Sequence, residues 1–168
     1  LKMSDADYHA VLLANYILGG GGEGYLFLNL REDKGYTYGS YSSISPNKYV
    51  GNFSATASVR NAVTDSSVVA MLGEIKRIRT EKVTAERLRD AKAKYVGSFV
   101  LALESPETIA RYALNVEIND LPADFYKNYL SKINAVTADD IMRVANKYFK
   151  ADQGRIVIVG KGSEVIPN

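Results

Sequence analysis

Between Tyr36 and Val59 the chain leaves helical spacing for a period of two, and it returns to helical spacing soon afterwards. Tyr36 to Ser45 is rich in Tyr, Thr, Ser and Ile. From Tyr49 to Val59 the odd positions Tyr49, Phe53, Ala55, Ala57 and Val59 alternate with mostly polar even ones. Pro46-Asn47-Lys48 supplies turn chemistry between the two runs. The pattern predicts an antiparallel hairpin inside an otherwise helical chain. That combination confines the fold to the α+β class: a small, mostly antiparallel sheet with helices packed on one face.

The flanking segments read as helices. Ser4-Asp5-Ala6-Asp7 has the form of an N-cap with an acid three positions on, followed by Tyr8, Val11 and Leu12, and the helix stops in the run Gly19 to Gly22. Tyr25 to Arg31 predicts a short, largely buried helix ending near Lys34-Gly35, with Gly35 as its C-terminal cap. After the hairpin, four stripes recur at i, i+3, i+4, i+7: Val68, Met71, Leu72, Ile75; Ile109, Tyr112, Ala113, Val116; Tyr126, Tyr129, Leu130, Ile133; and Ile141, Val144, Ala145, Tyr148. A longer helix over 84–103 places Leu88, Ala91, Tyr95 and Phe99 inward. Thr84 before Glu86, Ser105-Pro106-Glu107, and Thr137 with Asp140 mark helix starts. Arg155 to Val159, between Gly154 and Gly160, predicts a buried closing strand.

At 168 residues, one domain over 1–168 is expected, with room for a full core. The chain has no cysteine, so neither a disulfide nor a zinc-thiolate site forms within it. Lys and Arg total 21 against 19 Asp and Glu, interspersed, and no basic tract points to nucleic acid. The densest cationic stretch, Lys76-Arg77-Ile78-Arg79, sits at a helix C-terminus, where positive charge complements the macrodipole. No apolar run approaches the roughly 20 residues of a membrane span. The opening on Leu1, with a helix start already at Ser4 and no signal peptide, reads as a domain excised from a longer chain. The compartment stays open.

Catalytic chemistry is first narrowed by subtraction. A helical zinc-hydrolase motif needs two imidazoles one turn apart, and this chain has only His9. His9 lies early in an amphipathic helix, with no G-x-S-x-G elbow to pair with it. Gly19, Gly21 and Gly24 fit G-x-G-x-x-G literally, but they follow a helix instead of a strand, which favours a helix-to-helix turn over a nucleotide cradle. Most of the twelve tyrosines fall on inward stripes, so Tyr112, Tyr126, Tyr129 and Tyr148 read as core or half-buried. Arg31 and Tyr38 are different. Arg31 ends a helix, the chain reverses at Lys34-Gly35, and Tyr38 emerges on the first strand. A guanidinium and a phenol seven residues apart can thereby be aimed at one point, and two fixed donors can hold a carbonyl oxygen as it gains charge. The bland alternative is a helix-end salt link to Glu32 or Asp33 beside an ordinary strand tyrosine.

These residues also carry a family likeness. Leu13 to Gly21, then Leu26-Phe27-Leu28-Asn29-Leu30-Arg31-Glu32-Asp33-Lys34-Gly35-Tyr36-Thr37-Tyr38, closely resemble the C-terminal, non-metal-binding half of the pitrilysin/insulinase (M16) zinc peptidases. The likeness continues through Thr84 to Leu88, Ser105-Pro106-Glu107, Phe125-Tyr126, Val136 to Ile141 and Lys147-Tyr148-Phe149. The resemblance implies two related halves enclosing a peptide chamber. One half carries H-x-x-E-H and zinc. The other supplies an Arg and a Tyr that reach the substrate carbonyl, here Arg31 and Tyr38. It also implies that no cofactor or metal is held by this domain and that its partners are the H-x-x-E-H half, on the same chain or a separate subunit, and a peptide substrate. Where many relatives have small residues and an Arg, this chain reads Gly22-Glu23-Gly24-Tyr25, a departure that bears on substrate preference or interface charge. The expected function is the complementing half of a zinc metalloendopeptidase, inactive alone. The rival is a noncatalytic scaffold of the same family.

Overall fold

The computed structural model describes residues 1–165. Helix α1 (Tyr8–Gly19) leads through the glycine run into α2 (Tyr25–Phe27), which continues as a π turn over Leu28–Asp33. Strands β1 (Thr37–Ser45) and β2 (Asn52–Val59) come next, then α3 (Thr64–Thr80), α4 (Ala85–Ala102), α5 (Pro106–Ile118), α6 (Tyr129–Ala135), α7 (Ala138–Tyr148) and the short α8 (Gly162–Val165). The strands form a two-stranded antiparallel sheet, with Tyr41 opposite Thr56 and Ile44 opposite Phe53. The α+β expectation is met.

The sheet has a helix side and an outer side. Ser40 and Ser42 are buried against α1, where the Ser42 hydroxyl donates to the Asn15 carbonyl at 3.3 Å, while Tyr41 and Ser43 stay exposed. Val11, Leu13, Ala14, Ile17 and Leu18 make α1 the centre of the main core. They meet Ile75 and Ile78 of α3, Ala91 of α4, and Ile141, Val144 and Ala145 of α7. Phe53 of β2 stacks on Phe149 with centroids 4.5 Å apart, tying the hairpin to the end of α7. A second cluster is aromatic: Tyr8, Phe125 and Tyr129 are buried, and the half-buried Tyr112 and Tyr126 stack at 4.0 Å. Tyr148 is also half-buried, so the four tyrosines fall as their spacing predicts.

Several helix starts match the sequence. Thr84 accepts from the Arg87 amide, Pro106 opens α5, and Thr137 and Asp140 form a reciprocal capping box. Other expectations need correction. Ser4 does not cap α1; the helix begins at Tyr8, and Asp7 precedes it with its carboxylate drawn to α7. On α3 the inner face is Ser67, Glu74, Ile75 and Ile78, leaving Leu72 at the surface. On α5 the inner face carries Thr108, Tyr112 and Val116, with Ile109 and Ala113 exposed. The cationic stretch is not simply solvated, because Arg77 lies over the Tyr25 ring at 4.4 Å. The largest departure is Arg155 to Val159. It forms no strand and is exposed along its length, Val157 to 82%. A β-branched run makes a strand only against a neighbouring strand, and none lies beside it among the described residues.

Candidate functional site

Arg31 owes its placement to an irregular helix. Past Phe27 the hydrogen bonding widens from the α to the π pattern: the Lys34 amide donates to the Asn29 carbonyl at 3.0 Å, five residues back. Such a turn contains one residue more than an α turn and recurs at functional sites. The chain then reverses. Gly35 has φ +59°, left-handed backbone that glycine reaches without steric cost, and the Tyr36 amide bonds the Leu30 carbonyl at 2.8 Å. The Arg31 guanidinium lies over the Phe27 ring at 4.8 Å, with its Nε 3.4 Å from Glu32. The local salt link considered from sequence therefore exists, and it leaves Arg31 about half exposed.

Tyr38 owes its placement to a second irregularity. Thr37 pairs with Val59 and Ser40 with Ala57, so β1 carries one residue more than β2 across this step. Tyr38 shares strand parity with the buried Ser40 and Ser42, yet it is 94% exposed. An extra residue in a strand flips the side chains beyond it to the opposite face, which accounts for the break in alternation. Thr37 locks the bulge: its hydroxyl accepts from the Gly39 amide at 3.1 Å and donates to the Ser58 carbonyl at 2.6 Å. Arg31 and Tyr38 thus sit on consecutive elements either side of Gly35, each beside a one-residue insertion. No hydrogen bond joins them to each other among the described residues.

The segment bearing Arg31 is fastened at two places that sequence reasoning missed. Asn29 Nδ2 donates to Glu74 Oε1 at 2.6 Å, and Glu74, on α3, is only 6% exposed. Arg77 Nη1 lies 3.4 Å from the other Glu74 oxygen while its guanidinium covers Tyr25. No local pattern marks Glu74 as buried, since an acid on a long helix ordinarily faces solvent. The glycine run forms the second fastening. A Cβ on Gly24 would lie 2.7 Å from Gly19 Cα, and one on Gly19 would lie 2.5 Å from the Ser42 amide nitrogen. The helix-to-helix turn is therefore there, and at Gly19 and Gly24 it is a close backbone crossing of turn, helix end and β1.

The remaining candidates separate from this site. His9 is buried among Tyr8, Phe125 and Tyr129, with ring centroids 4.9–5.5 Å away. Burial, reinforced by the Lys132 ammonium, pushes its pKa down to about 4. A metal would need several converging donors, and no group of three or more His, Cys, Asp or Glu side chains suited to one occurs among the described residues. The donor set of the described residues does not fit zinc. Glu23 pairs with Lys94 of α4, which spends the acidic departure in the glycine run on an internal ion pair. No described helix is long and apolar enough to cross a membrane.

A two-stranded hairpin laid on a helical layer defines an α+β domain. The family model described as "Peptidase M16 inactive domain" matches residues 2–95, more than half of the sequence, and the chain belongs to that family. The family reading made from the sequence is borne out. A curated relative, "Uncharacterized zinc protease YmxG" of Bacillus subtilis (strain 168), is 25% identical over 169 residues, covering 97% of this chain and 40% of the relative. The solved peptidase M16 inactive domain from Pseudomonas fluorescens superposes with TM-score 0.81 at 26% identity, over 88% of this chain and 35% of that one. A conserved protein from Enterococcus faecalis V583 gives TM-score 0.77 at 25% identity, over 88% and 34%. The chain spans well under half the length of these relatives.

Proposed function

We propose that this chain is one complementing half of a zinc metalloendopeptidase and that Arg31 and Tyr38 donate to the carbonyl oxygen of the peptide being cleaved. Membership of the M16 inactive-domain family supports the peptidase assignment. The observation that carries the residue assignment is the pair of insertions within one short stretch: a π turn that leaves the Arg31 guanidinium half exposed over Phe27, and a bulge beside the solvent-facing Tyr38. In this reading, zinc and its H-x-x-E-H ligands lie on another half, on the same or a separate chain. This domain binds no metal and is inactive alone. Its own part is electrostatic: a cationic guanidinium and a phenol hydroxyl favour the charge that develops on the carbonyl oxygen.

The test is hydrolysis of a quenched fluorogenic peptide by this chain alone, by the chain with an H-x-x-E-H half and zinc, and by the reconstituted pair carrying Arg31→Ala or Tyr38→Phe. Activity is expected only on reconstitution. Each variant should lower kcat by about 10²–10³-fold with assembly intact, the usual loss for one oxyanion donor. Full activity in both variants would make the domain a scaffold.

A further inference from the structure

We propose that Glu74 is a positioning residue for Arg31, acting through Asn29; the inference deepens the function proposed above and rests on it. A carboxylate removed from water is costly unless its oxygens are paired. Both Glu74 oxygens meet donors belonging to or touching the Tyr25 to Asp33 segment: Asn29 Nδ2 at 2.6 Å, and Arg77 Nη1 at 3.4 Å, the latter lying over Tyr25. An apolar side chain at position 74 would join α3 to this segment equally well by burial. It would not fix how the segment is rotated, whereas a charge-assisted hydrogen bond is directional.

The arrangement around Asn29 supports this division of labour. The Asn29 carbonyl accepts the five-residue bond from the Lys34 amide that defines the π turn, and its side chain is the point held by Glu74. The other side-chain atom of that amide, Oδ1, is buried without a partner, so the one hydrogen bond this side chain makes among the described residues is its donation to Glu74. Arg31 lies two residues further on, within the same turn. Glu74 thereby sets the turn, and the turn sets the direction of the guanidinium.

Two measurements separate this inference from the reading beneath it. The first is amide hydrogen exchange on the chain itself. Asn29→Leu should speed exchange of the Lys34, Gly35 and Tyr36 amides about tenfold or more while α7 keeps its protection, and Glu74→Gln, which retains an acceptor, should leave them near wild type. Unchanged rates at 34–36, or an equal rise across the whole chain, would overturn the positioning role. The second is kinetics of the reconstituted pair. Asn29→Leu and Glu74→Leu should each lower kcat about tenfold with KM little changed, and Glu74→Gln should restore most of the rate. If Arg31→Ala lowers kcat while Asn29→Leu does not, the link from Glu74 to Arg31 is refuted. If Arg31→Ala itself leaves kcat unchanged, the catalytic reading falls, and the exchange result alone decides whether Glu74 sets the turn.

Discussion

Arg143 places Nη1 2.6 Å from Asp7 Oδ1, joining two residues 136 positions apart and fastening α7 to the start of α1. Lys147 Nζ at 2.7 Å and the Tyr148 hydroxyl at 3.0 Å share the other carboxylate oxygen. Lys147 and then Arg143 hold the Asp7 carboxyl down at about 2, against 3.8 for the free group. Because the folded value is the lower one, this stabilisation is complete above pH about 4 and is lost as the pH falls through 2. Asp7→Asn should cost roughly 1–2 kcal/mol at neutral pH, the cationic partners being half exposed and screened. Urea denaturation at pH 7, 4 and 2 checks this, and the gap between variant and wild type must narrow below pH 4.

His9 gives a second, separate window. Its pKa lies at about 4 in the folded protein and 6.5 when free, so the unfolded chain takes up a proton that the folded one refuses. The His9 contribution to stability should fall as the pH drops from 6.5 towards 4 and level off below. His9→Leu should remove roughly 1–3 kcal/mol of that decline. Denaturant midpoints for both proteins across this range provide the comparison, and parallel curves would refute it.

Gly24 and Gly21 should differ sharply although only three positions separate them. Gly24→Ala forces a Cβ to 2.7 Å from Gly19 Cα and 3.0 Å from the Leu18 carbonyl oxygen, both backbone atoms, whereas a Cβ on Gly21 meets nothing within 4 Å. The first change should destabilise by about 1–3 kcal/mol through overpacking, and the second by less than about 0.5 kcal/mol. Thermal unfolding of the two variants decides it.

The apolar run near the C-terminus should be silent in this chain. Val157→Asp is expected to move stability by less than about 0.5 kcal/mol because the side chain is already in water. Ile141→Ala, fully buried in α7, should cost about 2–5 kcal/mol. Equal losses in calorimetry would restore the core-strand reading of Arg155 to Val159.

What the sequence discloses here is what neighbouring residues decide among themselves. The Thr137/Asp140 box, the Thr84 cap, proline at the start of α5 and the left-handed Gly35 depend on contacts a few residues apart and appear as read, whereas the alternation read from Tyr49 holds only within Asn52–Val59, Tyr49 itself being exposed outside the strand. Ser4 loses its capping role because Asp7 answers to Arg143 and Lys147, residues no local window contains. Arg155 to Val159 has strand composition, but a strand requires a neighbour. Arg31 and Tyr38 could be singled out from residue type and the turn between them. The irregularities beside them could not: a π turn, a bulge and a buried Glu74 are settled by contacts between elements, and composition carries no trace of those.

The two insertions have a consequence for variation at this site. If direction is set by one surplus residue in a helix and another in a strand, the aim of each donor is governed by a count more than by chemistry. Substitutions at Leu28 or Asp33 keep the count and so preserve direction. Deleting a single residue from Leu28–Asp33 would close the turn to α geometry and swing the residues beyond it through roughly a quarter turn of the helix, and deleting Gly39 would place Tyr38 directly before the buried Ser40, keeping it outward by plain alternation and turning Thr37 to the helix side instead. Length, in this stretch, is the quantity under constraint.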